Sequence, residues 1–509
     1  MNAPPHREMP AGTLDTTQAL AQVSAQWDGD IVRQLSDYIA IPAKSPGFDP
    51  DWAAHGHLET VLRNAAAWVE AQKVEGLTLD IVRLPGRTPV LFFEVAATRS
   101  ASTQTVLMYG HLDKQPEFSG WRNDLGPWTP KYEFDKDGSG KLYGRGGADD
   151  GYAVYASIAA VQALKAQNIA HPRIVGLIET CEESGSYDLL PCVDALRAPG
   201  NNRLGEVALV ICLDSGAGNY DQLWLTTSLR GMASGTLKVE VLTEGVHSGD
   251  ASGLVPSSFR IMRQVLDRLE DSATGRLLPA SFHCELPPER LAQARATAAI
   301  LGDEVYQRFP WAHHDCGGAT RFALPTTTDP VQALINRTWT PTLSVTGADG
   351  LPSLGDAGNV LRPYTAFRLS LRLPPLVDAA QAVQELKTLL EDNAPYQARV
   401  TFESAGGATG WNAPPVAPWF EQALHAASQA HFGAPCGYIG QGGTIPLMNL
   451  LSQGFPRAQM MVCGVLGPKS NAHGPNEFLH VPYAKKLTAA VAQVIAQLPT
   501  EDATAQAGS

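Results

Sequence analysis

The chain of 509 residues has no long hydrophobic run. None approaches the ~18–20 consecutive apolar residues that a membrane-spanning helix needs, so no membrane partner is expected. Basic residues are also in the minority: 38 Lys and Arg against 51 Asp and Glu, a net charge of −13. The Lys and Arg are scattered and form no stripe, which argues against a nucleic-acid surface. Cysteine is sparse, at seven residues (Cys181, Cys192, Cys212, Cys284, Cys316, Cys436, Cys463). The count is odd and no CxxC spacing occurs, so the cysteines read as reduced, mostly buried thiols. The opening "MNAPPHREMPAGTLD" lacks the apolar core of a secretory signal. A cytoplasmic location is therefore expected. Two further motifs are missing. "GRGG" lacks the dinucleotide-binding spacing, and no G-x-S-x-G elbow surrounds Ser215 in "LDSGAG".

What is present suits a large globular protein, with 44% hydrophobic and 17% charged residues. Short apolar runs end in polar clusters and are followed by helical periodicity. "QTVLMYGHLD" reads as a strand ending at Gly110 and His111, and "RIVGLIET" and "VALVICLDSG" read as buried strands. Between them, Val154, Ile158 and Val161 recur at helical spacing. "PWFEQALHAASQAHFG", "AQMMVCGVLG" and "YAKKLTAAVAQVIAQL" continue the alternation to the end. The expectation is an α/β fold whose mixed, mostly parallel sheet is flanked by helices.

The middle of the chain follows another pattern. "TLKVEVL" alternates like a half-exposed strand, and a helix over 257–270 follows. Strands "TPTLSVTG" and "AFRLSLRL", a helix N-capped by Asp378, and strand "ARVTFES" complete a βαββαβ order. That order is the ferredoxin-like split unit. Residues 230–408 therefore read as an α+β domain inserted into a catalytic domain made of residues 1–229 and 409–509.

Ligands of parallel sheets bind at the carboxyl ends of the strands. Five such ends or adjoining loops here carry His111 and Asp113, Asp149 and Asp150, Glu182 and Glu183, Asp214, and His473. Adjacent carboxylates repel one another unless a cation offsets the charge. His and carboxylate together suit zinc or manganese, and more than four donors suit two ions. One acid can then stay unligated and take a proton from water.

The motifs "GHLDKQP", "LYGRGGADDG", "ETCEESGS", "CLDSG", "GVHSG", "GGTIP" and "NAHGPNE" occur in the order used by a dizinc metallopeptidase family. It contains the carnosinase-type cytosolic dipeptidases, glutamate carboxypeptidase, aminoacylase, acetylornithine deacetylase and succinyl-diaminopimelate desuccinylase. The resemblance spans roughly residues 30 to 495 and is strongest to the dipeptidase branch. It implies a zinc-peptidase-like catalytic domain with an inserted lid or dimerisation domain. It also implies two divalent ions, Zn2+ in first place with Mn2+ or Co2+ as alternatives. By resemblance, His111, Asp149 and Asp214 hold one ion, and Asp149, Glu183 and His473 the other. Asp113 orients the His111 imidazole, and Glu182 is the general base that activates water between the ions. His247 reaches the partner subunit's active site and stabilises the oxyanion, which implies a homodimer through the inserted domain. Arg372 grips the carboxylate of a small peptide substrate, beside Gly443 and Thr444. A cis peptide after Asp149 is implied as well.

The implied activity is hydrolysis of dipeptides or short peptides with a free C-terminal carboxylate. N-acyl-amino-acid hydrolysis, by the same machinery, is the alternative. A non-catalytic peptide-binding protein would have lost donors or the base, and none is lost here. The sequence departs from the family at Lys114, which adds charge after the His-x-Asp motif, and at Asp150, where Asn or Met is common.

Overall fold

The computed structural model describes residues 13–99, 102–134, 140–316, 319–443 and 446–500. Its two main sheets use ten strands. In chain order they are β1 (Leu77–Val82), β2 (Val90–Val95), β3 (Gln104–His111), β4 (Arg173–Glu179), β5 (Glu206–Cys212), β6 (Gly231–Glu240), β7 (Thr342–Asp349), β8 (Tyr364–Leu373), β9 (Arg399–Ala408) and β10 (Gln459–Val462). Six helices matter below: α1 (Ala153–Ala166), α2 (Ser258–Leu266), α3 (Pro330–Thr338), α4 (Ala379–Glu391), α5 (Pro418–Phe432) and α6 (Val481–Ala496).

The chain divides into two compact units. The first takes residues 1–226, 413–439 and 450–509, and the second takes 227–412 and 440–449. In the first unit the strand order is β1-β2-β4-β3-β5-β10. The four strands β4, β3, β5 and β10 run parallel, and β1 and β2 join antiparallel. Near-continuous burial of "QTVLMYGH" and "EVALVIC" is what a parallel sheet covered on both faces demands. Gly110 allows the closest of these contacts. A Cβ there would lie 2.4 Å from the Ala153 Cβ and 2.8 Å from Asp150 Oδ2, so only glycine lets α1 settle on β3.

The second unit has the antiparallel order β7-β8-β6-β9, the arrangement expected of the βαββαβ pattern. Leu237 and Val239 of β6 and Leu369, Leu371 and Leu373 of β8 form its core with Ile261 and Val265 of α2 and Leu386 and Leu390 of α4. Asp378 caps α4 by accepting from the Gln381 N–H at 2.8 Å.

Candidate metal centre

Strand register decides what meets at the rim of the first unit. His111, the last residue of β3, stands opposite Glu179, the last residue of β4. Tyr109 stands opposite Cys212 at the end of β5. The residues just beyond these ends are Asp113, the pair Glu182 and Glu183, and Asp214. A turn over Gly147–Gly151, with a cis peptide between Asp149 and Asp150, leads into α1 and adds Asp149. The loop before α6 brings His473.

These side chains converge. His111 Nε2 lies 3.4 Å from Asp149 Oδ1 and 3.8 Å from Asp214 Oδ1. His473 Nε2 lies 3.0 Å from Asp149 Oδ2 and 3.4 Å from Glu183 Oε2. Asp149 thus stands between the two imidazoles. Donor atoms of His111, Asp149 and Glu183 fall within 4.8 Å of one another, and so do those of His111, Glu182 and Asp214. Glu182 is therefore as near to His111 and Asp214 as a ligand would be.

Asp113 is fully buried and has two tasks. Its Oδ1 lies 3.4 Å from His111 Nδ1, and its two oxygens accept from the backbone N–H groups of Glu182 (3.1 Å) and Glu183 (3.0 Å). It fixes the imidazole and the acidic turn together. Gln115 Nε2 donates to Glu183 Oε2 at 2.6 Å, a contact the sequence reading missed although Gln115 stands in "GHLDKQP".

The charge is lopsided. Burial pushes Glu182, Glu183 and Asp150 well above the ordinary carboxyl range, with Asp214 adding at Glu182 and Asp150, and Asp149 at Glu183. Asp149 goes the other way: burial opposes it, but His111 and His473 hold it low. His111 is pushed well up by Asp113, Asp149 and Asp214 against its own desolvation. Among the described residues, His111 Nε2 and Asp149 Oδ2 have no well-directed hydrogen bond, although His473 Nε2 lies 3.0 Å from Asp149 Oδ2. Orphaned donors of imidazole and carboxylate type, amid surplus negative charge, fit divalent cations of the zinc and manganese kind.

Other residues fall elsewhere. Lys114 was expected to add charge near the site. It is buried, and its Nζ donates to the carbonyls of Tyr38 (2.7 Å), Ile39 (3.3 Å) and Ile41 (2.8 Å), closing the end of the helix Val32–Ile39. His55 lies apart from these donors, with Asp49 Oδ2 2.8 Å from its Nδ1. His247 lies in the second unit, exposed on the short strand Val246–His247. A Cβ on Gly249 would touch its ring at 2.8 Å, which explains the glycine of "HSG". Arg372 is half-buried on β8, on the face opposite Leu371 and Leu373. Gly443 is exposed in the second unit, and Thr444 lies outside the described residues.

Donors gathered at the carboxyl ends of a mostly parallel sheet suit a metal-dependent hydrolase of α/β type. The model of peptidase family M20/M25/M40 matches residues 107–497, more than half of the chain, and the protein belongs to that family. It is 27% identical to a cysteinylglycine-S-conjugate dipeptidase of Corynebacterium striatum, over 83% of this chain and 88% of the relative. It is 25% identical to the Beta-Ala-His dipeptidase of Rattus norvegicus, over 94% of this chain and 93% of the relative. The crystal structure of human carnosine dipeptidase 1 superposes with a TM-score of 0.73 at 21% identity, over 95% of this chain and all of that one.

Proposed function

We propose that the protein is a metal-dependent dipeptidase that works with two divalent ions and cleaves short peptides carrying a free C-terminal carboxylate. The observation that carries this is the convergence of His111, Asp149, Glu182, Glu183, Asp214 and His473 on one rim. His111, Asp149 and Asp214 would hold one ion, and Asp149, Glu183 and His473 the other. When bound, the ions supply Lewis acidity to the scissile carbonyl and to the attacking water. Glu182 takes the proton of that water and returns it to the leaving amine. Asp113 keeps Nδ1 of His111 protonated and Nε2 turned to the ion. Arg372 holds the terminal carboxylate, and His247 of a second copy supports the oxyanion, so the active species is a homodimer. Zinc is the first candidate, with manganese or cobalt next. A cytoplasmic location is part of this reading, supported by an odd cysteine count without CxxC spacing.

N-acyl-amino-acid hydrolysis uses the same residues. Alignment with dipeptidases along most of the chain favours peptides. The deciding experiment is a panel of dipeptides, tripeptides and N-acyl amino acids, with zinc- or manganese-loaded protein sedimented in parallel. Dipeptides should be cleaved by a dimer, and Glu182→Gln should lose ~10²–10⁴-fold in rate while still binding metal. Turnover of acyl amino acids alone would select the second reading. A fully active monomer would remove the role given to His247.

A further inference from the structure

The second unit holds a charge cluster opposite in sign to the metal centre. Arg337 projects from α3, and its Nη2 donates to the Gly440 carbonyl at 3.0 Å. Arg230, just before β6, donates from its backbone N–H to Gln441 O (3.3 Å) and from Nε to Gly442 O (3.4 Å). Arg230 Nη1 also reaches Thr342 Oγ1 at 3.3 Å, and Arg372 stands opposite Thr342 in the β7–β8 register. Arg230 thus reaches the threonine whose strand partner is Arg372, and Arg230 and Arg337 both bond the segment 440–442.

These guanidiniums are uncomfortable. Burial pushes Arg337 down to about 9, with Arg308 and Arg230 adding to the shift, and pushes Arg230 down to about 10, with Arg372 adding. No carboxylate is among the causes acting on Arg337. Two buried polar atoms next to Gly440 have no hydrogen-bond partner among the described residues, Arg337 Nε and Ser228 Oγ. Ser228 Oγ lies 2.6 Å from where a Gly440 Cβ would be. Among the described residues, a Cβ on Gly443 meets nothing within 4 Å. An orphaned donor on the desolvated Arg337 guanidinium is costly unless an acceptor joins it, and the planar fork of arginine matches a carboxylate.

We propose that Arg230 and Arg337 form a second carboxylate pocket beside Arg372, so that the preferred substrates end in an acidic residue, glutamate or aspartate. This rests on the dipeptidase reading, in which Arg372 takes the terminal carboxylate. Arg230 and Arg337 then take the side-chain carboxylate of the same residue.

The test compares kcat/KM for Ala-Glu with its neutral isostere Ala-Gln, using metal-loaded native protein, Arg337→Met and Arg337→Lys. Native protein should prefer Ala-Glu by about tenfold or more, the scale of one charge-assisted contact. Arg337→Met should bring the ratio towards one by slowing Ala-Glu far more than Ala-Gln, and Arg337→Lys should keep part of the preference. Equal rates on the two peptides in native protein would overturn the proposal. So would a variant that slows both equally, because Arg337 would then only anchor the 440–442 loop. Calorimetry of native protein with glutarate and with butyrate covers the case in which the variants do not fold. Glutarate should bind at least about tenfold more tightly, and equal affinities would overturn the pocket. If no dipeptide is cleaved, the dipeptidase reading fails while the glutarate comparison still decides the pocket.

Discussion

At the scale of single residues, an ion pair outside the metal centre holds part of it in place. Arg145 Nη1 lies 2.6 Å from Glu477 Oε2, with side chains 1% and 0% exposed. Arg145 Nη2 also donates to the carbonyls of His473 (3.3 Å) and Gly474 (2.8 Å), and Glu477 Oε1 accepts from the Gly146 N–H at 2.9 Å. The pair therefore ties the loop bearing His473 to the turn bearing Asp149. Breaking a buried pair from one side leaves an uncompensated charge, which costs roughly 3–5 kcal/mol. Glu477→Gln should lower unfolding stability by about that amount and weaken metal binding. Arg145→Met with Glu477→Met should recover part of the stability but not the metal affinity, because the His473 loop stays untethered. Urea titration and metal calorimetry on the three proteins would check this. Equal metal affinity in all of them would show that the pair serves stability alone.

At the scale of elements, much was legible because periodicity and capping are local. Strands β3, β4 and β5, the cap at Asp378 and the end of α5 at Gly433 all follow from residue pattern. The tasks of Lys114 and Gln115 were not legible, because their partners lie 73 or more and 68 residues away in sequence. The affiliation of 440–449 with the second unit has no linear signature either. Helix contacts bring a pH dependence of the same hidden kind. His431 of α5 is buried, and neither ring nitrogen has a hydrogen-bond partner among the described residues. Burial pushes it down to about 4, Lys486 of α6 adds to the shift, and Gln493 opposes it. Its ordinary value is ~6.5, so below that pH the unfolded chain takes up the proton first and stability falls with pH. Between pH 6.5 and pH 4 the loss should reach roughly 2–4 kcal/mol. His431→Gln should flatten that part of the urea-midpoint profile, and an unchanged slope would place the acid sensitivity elsewhere.

At the scale of the molecule, the proposed metal donors all come from the first unit, while the second has its own hydrophobic core. Metal should then stabilise the two units unequally. The cysteines are placed to report this. Cys181, Cys192, Cys212, Cys436 and Cys463 are buried in the first unit, and Cys284 is half-buried in the second. Burial also pushes the first-unit thiols up, with Cys181 at about 12 and Cys192 at about 11, so each of these reacts only when its surroundings open. A ligand bound only to the folded form stabilises it by RT ln(1 + [L]/Kd), about 2.7 kcal/mol at a hundredfold excess over Kd. Where opening precedes labelling, that amounts to about a hundredfold slower reaction. Zinc or manganese at that excess should therefore slow maleimide labelling of the five first-unit thiols by about this factor and leave Cys284 close to its metal-free rate. Peptide-resolved mass spectrometry reads each cysteine separately. Equal protection of Cys284 would mean that the units open together, and no protection at any site would remove the metal centre from the first unit.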